Sequence, residues 1–140
     1  MKWLVPFGAA LVLAACDNGG SPSVVPTAPT VLTTETFTGT VDVGGSDFHT
    51  FNAATGGEVD ITLAAAGPPT TIFMGLGIGQ PSGSPPTCVL FTATGATVYT
   101  PAGSIPQIVG TISAGTFCVQ VYDIGNQLAQ ISYTVTVAHP

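Results

Sequence analysis

Positive charge is almost missing from this chain of 140 residues: Lys and Arg together number 1, against 7 Asp and Glu, and the single cation is Lys2. Nucleic-acid binding depends on cationic side chains that displace counterions from phosphate, so the composition argues against a DNA or RNA partner. Charged residues of either sign make up only 6%. Tryptophan is limited to Trp3, which removes the strongest stacking residue from the rest of the chain. Beyond the first residues no apolar run approaches the roughly 20 residues that a membrane-spanning helix needs. Histidine is limited to His49 and His139. No Gly-x-Ser-x-Gly stretch accompanies them, so a hydrolytic triad has little to be built from.

What is present is turn and strand chemistry. The 18 Gly and 12 Pro, set among many Thr and Val, suit short strands joined by turns better than helices. The length allows one hydrophobic core rather than two.

The N-terminus has a distinct layout. Lys2 precedes an apolar run from Trp3 to Leu13 and then small residues, the order of a secretory signal peptide. Leu13-Ala14-Ala15-Cys16 resembles the lipobox of bacterial lipoproteins. That resemblance implies removal of residues 1–15, diacylglyceryl and palmitoyl-type acylation at Cys16, and a membrane anchor facing the periplasm or the cell surface. Two or three acyl chains hold a protein firmly on a membrane where one holds it only marginally. Residues 16–35, rich in Gly, Ser, Pro and Thr, read as a flexible linker, with the domain expected over 36–140.

Within that span, alternating or apolar runs are separated by turns. Strands are expected over 36–43, 48–53, 58–65, 71–79, 88–93, 97–100, 107–112, 116–123 and 130–139. In the run from Glu58 to Ala65, residues Val59, Ile61 and Leu63 alternate with Asp60 and Thr62. In the next, Ile72, Met74, Leu76 and Ile78 share one face while Gly75 and Gly77 fall on the other. The glycines of Gly75-Leu76-Gly77-Ile78-Gly79 suggest close strand packing or a bulge more than a phosphate loop, since no Lys or helix start follows. The last two runs are expected to form a hairpin around Gly125-Asn126, with Phe117, Val119 and Val121 facing the core together with Ile131, Tyr133, Val135 and Val137. Eight or nine such strands predict an all-β, antiparallel, jelly-roll-like β-sandwich.

The segments GGSDFHTF, GGEVDITL, SAGTFCVQVYD and ISYTVTV are similar to the bacterial pre-peptidase C-terminal domain family. The resemblance covers roughly residues 35–140. It implies a β-sandwich that is usually a non-catalytic appendage of exported proteins, aiding secretion or binding matrix, with calcium bound by some relatives. No enzyme domain is expected beside it here, and His49 stands two residues before Phe51, where the family often has an aromatic residue.

Candidate site residues follow from chemistry. Cys88 and Cys118 are expected to form a disulfide in an oxidising compartment, the alternative being two buried thiols. Asp47 and Asp123, at strand ends, are the most plausible calcium ligands, the alternative being that they cap backbone amides. Tyr99 and Tyr122 are the remaining exposed aromatics suited to stacking on a sugar. His49 is expected to be half-buried and structural, and His139 mobile near the C-terminus. The leading expectation is a lipid-anchored envelope protein with a non-catalytic binding or structural module and no cofactor. A carbohydrate- or matrix-binding module and a small hydrolase are the alternatives, and an envelope protein or polysaccharide is the expected partner.

Overall fold

A computed structural model of the chain describes residues 28–140; the expected signal peptide, Cys16 and most of the expected linker lie outside the described residues. The described residues form nine strands: β1 (Thr33–Val41), β2 (Ser46–Ala53), β3 (Gly57–Gly67), β4 (Met74–Ser82), β5 (Thr87–Leu90), β6 (Thr97–Thr100), β7 (Ile108–Ile112), β8 (Gly115–Tyr122) and β9 (Ile131–His139). They form two antiparallel sheets. One has the order β1-β9-β3-β7; the other has the order β2-β8-β4-β5, with β6 also paired to β4. With β5 and β6 sharing one position, this is the strand order of a jelly roll, so the expected fold class is the observed one.

Alternation explains the core. Val59, Ile61 and Leu63 of β3, Met74, Leu76 and Ile78 of β4, Phe117, Val119 and Val121 of β8, and Ile131, Tyr133, Val135 and Val137 of β9 are all buried. Each set occupies every second position, so one face of each sheet is apolar and the two faces meet. In β3 the pairing with β9 shifts between Leu63 and Ala65. This bulge changes the phase of the alternation, and Ala66 rather than Ala65 continues the buried row.

The expected C-terminal hairpin is not formed. β8 pairs with β2 and β4, whereas β9 pairs with β1 and β3 in the opposite sheet. Hydrophobic alternation fixes which face of a strand is buried and not which strand lies beside it. The two runs do face one core, but across the roughly 10 Å between sheets rather than within one. The intervening segment, 123–130, is longer than the 2 to 5 residues usual in a hairpin loop, which is the signal for an arch between layers.

Strand limits also move. β1 begins at Thr33 rather than at residue 36 because β9 offers it partners as far as His139. It stops at Val41, where the Gly45 amide donates to the Asp42 carbonyl at 2.8 Å and closes the turn. Gly44 in that turn has φ 71°, a value that favours glycine.

Candidate functional site

The outward face of the β2-β8-β4 sheet carries the most developed surface feature, and glycine creates it. Gly75, Gly77 and Gly79 are buried although they lie on the side of β4 away from the core. Other groups occupy the space their side chains would fill. A Cβ on Gly75 would meet the Tyr122 ring, one on Gly77 the Leu90 methyls at 2.9 Å, and one on Gly79 the backbone of Val89 and Leu90. The glycine row is therefore a shallow trough. Tyr122 lies in it from β8, and β5 folds over its end.

Cys88 of β5 is joined to Cys118 of β8 by a disulfide, with Cα atoms 5.9 Å apart. The pairing expected from the sequence is thus the one formed. Cys118 sits on the face opposite Phe117 and Val119, as alternation requires, yet it is fully buried because the β5 arm covers it.

Tyr99 and Tyr122, far apart in sequence, meet on this face. Both pair with Gly75, from opposite sides: Tyr99 from β6 and Tyr122 from β8. With only a hydrogen between them, their rings approach edge to face at 6.4 Å. Tyr99 is 67% exposed, while Tyr122 is half-buried. Loss of water around Tyr122, followed by the neighbouring Tyr99, raises its phenol pKa above the ordinary value. The next row pairs Thr97 and Gln120 with Gly77, and Phe48 pairs with Gln120. Gln120 is partly exposed beside the tyrosines. The side chains of Ser46, Phe48, Gln120, Tyr122, Thr97 and Tyr99 supply hydroxyls, an amide and aromatic faces, with no carboxylate or cation among them.

Asp123 and Asp47 are each hydrogen-bonded within the fold. Asp123 lies at the surface, where Oδ2 accepts the Gly44 amide at 2.7 Å and Oδ1 accepts the amides of Gly125, Asn126 and Gln127 at 2.8 to 3.3 Å. These donors, Gly44 first, hold its pKa below the usual carboxylate value against partial loss of solvent. Its oxygens organise the arch between β8 and β9 and tie it to the turn after β1. Asp47 instead points between the sheets, where its Oδ2 accepts the Tyr133 hydroxyl at 2.7 Å. The two expected calcium ligands thus engage different partners. Among the described residues no group of three His, Cys, Asp or Glu side chains is gathered as a metal site would need.

Tyr133 joins a small network that the sequence did not single out. Its one proton goes to Asp47, so its oxygen accepts from His49 Nε2 at 2.9 Å. His49 is stacked on Phe37 at 4.9 Å and is partly buried, as expected. Gly39 makes room for the network, since a Cβ there would meet Asp47 Oδ2 and the Tyr133 hydroxyl. A glycine inside the Thr-rich run of β1 was the available signal for such a close approach.

Burial, and then Asp47, push the Tyr133 phenol far above its ordinary 10.0. A raised phenol pKa favours the folded state fully below pH 10. That contribution is lost as pH rises, because the unfolded chain then gives up a proton that the native one keeps. Tyr133→Phe should cost about 1 to 2 kcal/mol at neutral pH by leaving Asp47 Oδ2 without its hydroxyl donor. It should also make stability fall less steeply above pH 10 than in the parent. Urea unfolding across that pH range measures both; equal slopes would rule out Tyr133 as the titrating group.

His139 corrects the expectation of mobility. It is 4% exposed, hydrogen-bonded through Nε2 to Glu35 at 2.8 Å, and packed 5.1 Å from the Phe51 ring. Among the described residues His49 bonds to Tyr133 and His139 to Glu35 and Pro140, with no serine or cysteine as a partner. A cleft of about 240 Å³ between β7 and the segment before β6 is lined by apolar residues such as Ile78, Phe91, Ala96, Ile108 and Ile112, with no titratable side chain.

No family model matches the chain, and no curated protein matches it.

Proposed function

We propose that the chain is a lipid-anchored protein of the bacterial cell envelope whose β-sandwich is a non-catalytic module for a neutral polysaccharide. The observation that carries the binding role is the Tyr99–Tyr122 pair on an uncharged sheet face. Sugar rings present C–H faces that pack on aromatic rings and hydroxyls that pair with groups such as the Gln120 amide. A surface without cations gives no foothold to an anionic polymer, which favours a neutral one. The anchoring role rests on Lys2, the apolar run to Leu13 and the LAAC sequence ending at Cys16. The likeness to pre-peptidase C-terminal domains points the same way, towards an exported accessory module.

The test is retention of the full chain on insoluble neutral polysaccharides. Tyr99→Ala should weaken binding by about 2 kcal/mol, roughly thirtyfold, with no change in melting temperature, because Tyr99 is exposed and Tyr122 keeps covering Gly75. In the same cells Cys16→Ser should move the protein from the membrane to the soluble fraction. Undiminished retention of Tyr99→Ala would dismiss the tyrosine site, and unaltered membrane association of Cys16→Ser would dismiss the anchor.

A further inference from the structure

An exposed sheet edge presents unpaired backbone groups, and β-proteins ordinarily blunt such edges with short strands, lysine, proline or bulges. β7 has 5 residues and β5 and β6 have 4 each, so these edges are short, while β2, an edge strand of 8 residues, carries Asp47 and His49 within it. β1 is different. It has 9 residues, lies at the end of its sheet and pairs only with β9, and it keeps one unbroken register throughout. It contains no Lys and no Pro. Its single charge, Glu35, is held by His139. Among the described residues no strand occupies its outer edge.

The sequence of β1 is also symmetric on its solvent face. Thr34, Thr36, Thr38 and Thr40 are exposed and are placed evenly about Phe37. Antiparallel pairing of two such strands around Phe37 sets Thr34 opposite Thr40 of the partner subunit and Thr36 opposite Thr38 of the partner subunit. Every solvent-face pair in that arrangement is then threonine with threonine, a favourable cross-strand combination. The chain's formal charge of −6 makes two copies repel over most of their surfaces. The Thr34 to Thr40 face carries no charge, so approach at this edge meets the least repulsion.

We infer that β1 is the interface of a two-fold homodimer, in which two copies join edge to edge and two four-stranded sheets become one of eight strands. A two-fold axis through the middle of β1 closes the assembly at two chains and leaves no further β1 edge exposed. The Tyr99–Tyr122 surface belongs to the other sheet, so each dimer would display two of them.

The experiment uses the full chain in cells, with Thr36→Cys and Thr38→Cys variants produced separately and together and then mildly oxidised. Both positions are exposed, so neither change disturbs the core. The expected result is a reductant-sensitive dimer of the two variants when produced together, and little when either is alone, because Thr36 faces Thr38 and not itself. Adding Thr34→Lys and Thr40→Lys to both chains sets lysine against lysine and should abolish that dimer at unchanged protein level. Failure of the mixed pair to crosslink, a crosslink to a different protein in its place, or equally strong dimers from either variant alone would overturn the pairing.

Discussion

Replacing Cys88 by serine should destabilise the domain by about 3 to 4 kcal/mol, the chain-entropy contribution of a crosslink closing a loop of this length. The two cysteines are 30 positions apart, and the loop includes the whole of β6 and of β7. Cys88 is the better partner to change. It is only half-buried, whereas Cys118 is fully buried and as a free thiol would remain there as a small apolar side chain. The melting temperature should fall by roughly 15 °C, and reducing agent should have no further effect on the variant. A fall of only one or two degrees would mean that the β5 arm is held by its packing on the glycine trough and not by the bridge.

Gly79→Ala should approach the same size from the opposite direction. A Cβ on Gly79 would stand 2.6 Å from the Val89 carbonyl carbon and 2.8 Å from Leu90 Cα. These are backbone atoms that no side-chain rotation can move aside. Overpacking of this kind costs about 1 to 3 kcal/mol, and the upper end is expected here because the displaced strand is tethered. Combining Gly79→Ala with Cys88→Ser makes the point sharper. Once untethered, β5 can lift away, so the double variant should be more stable than the sum of the two losses predicts by about 1 kcal/mol. Strict additivity, measured by urea unfolding, would show that the arm and the trough are independent.

How much of this was legible in the sequence depended on which interaction fixed each feature. Val59, Ile61 and Leu63 announced a strand with one buried face because alternation is local. Met74, Leu76 and Ile78 did the same despite the glycines between them. Cysteine count was sufficient for the disulfide, since one cysteine was already assigned to the lipobox. The sheet to which β9 belongs was not legible, because Tyr133 and Val135 are equally content against β8 from beside it or from across the core. The meeting of Tyr99 with Tyr122 was hidden for the same reason. Each reaches Gly75 by a separate strand pairing, and the two are 23 positions apart in the chain. Asp47 and Asp123 had the residue type for cation binding, but the direction of their oxygens is set by backbone amides and by Tyr133, which only the fold brings near.

The position of β9 bears on when folding can happen. Among the described residues β1 is the first strand and β9 the last, yet β1 pairs with β9, which also flanks β3. During synthesis the sheet therefore lacks its central member until all the other strands have been made. Long-range pairings of this kind are slow to form because distant segments must first be brought together. A chain built this way cannot close this sheet until its last strand has emerged.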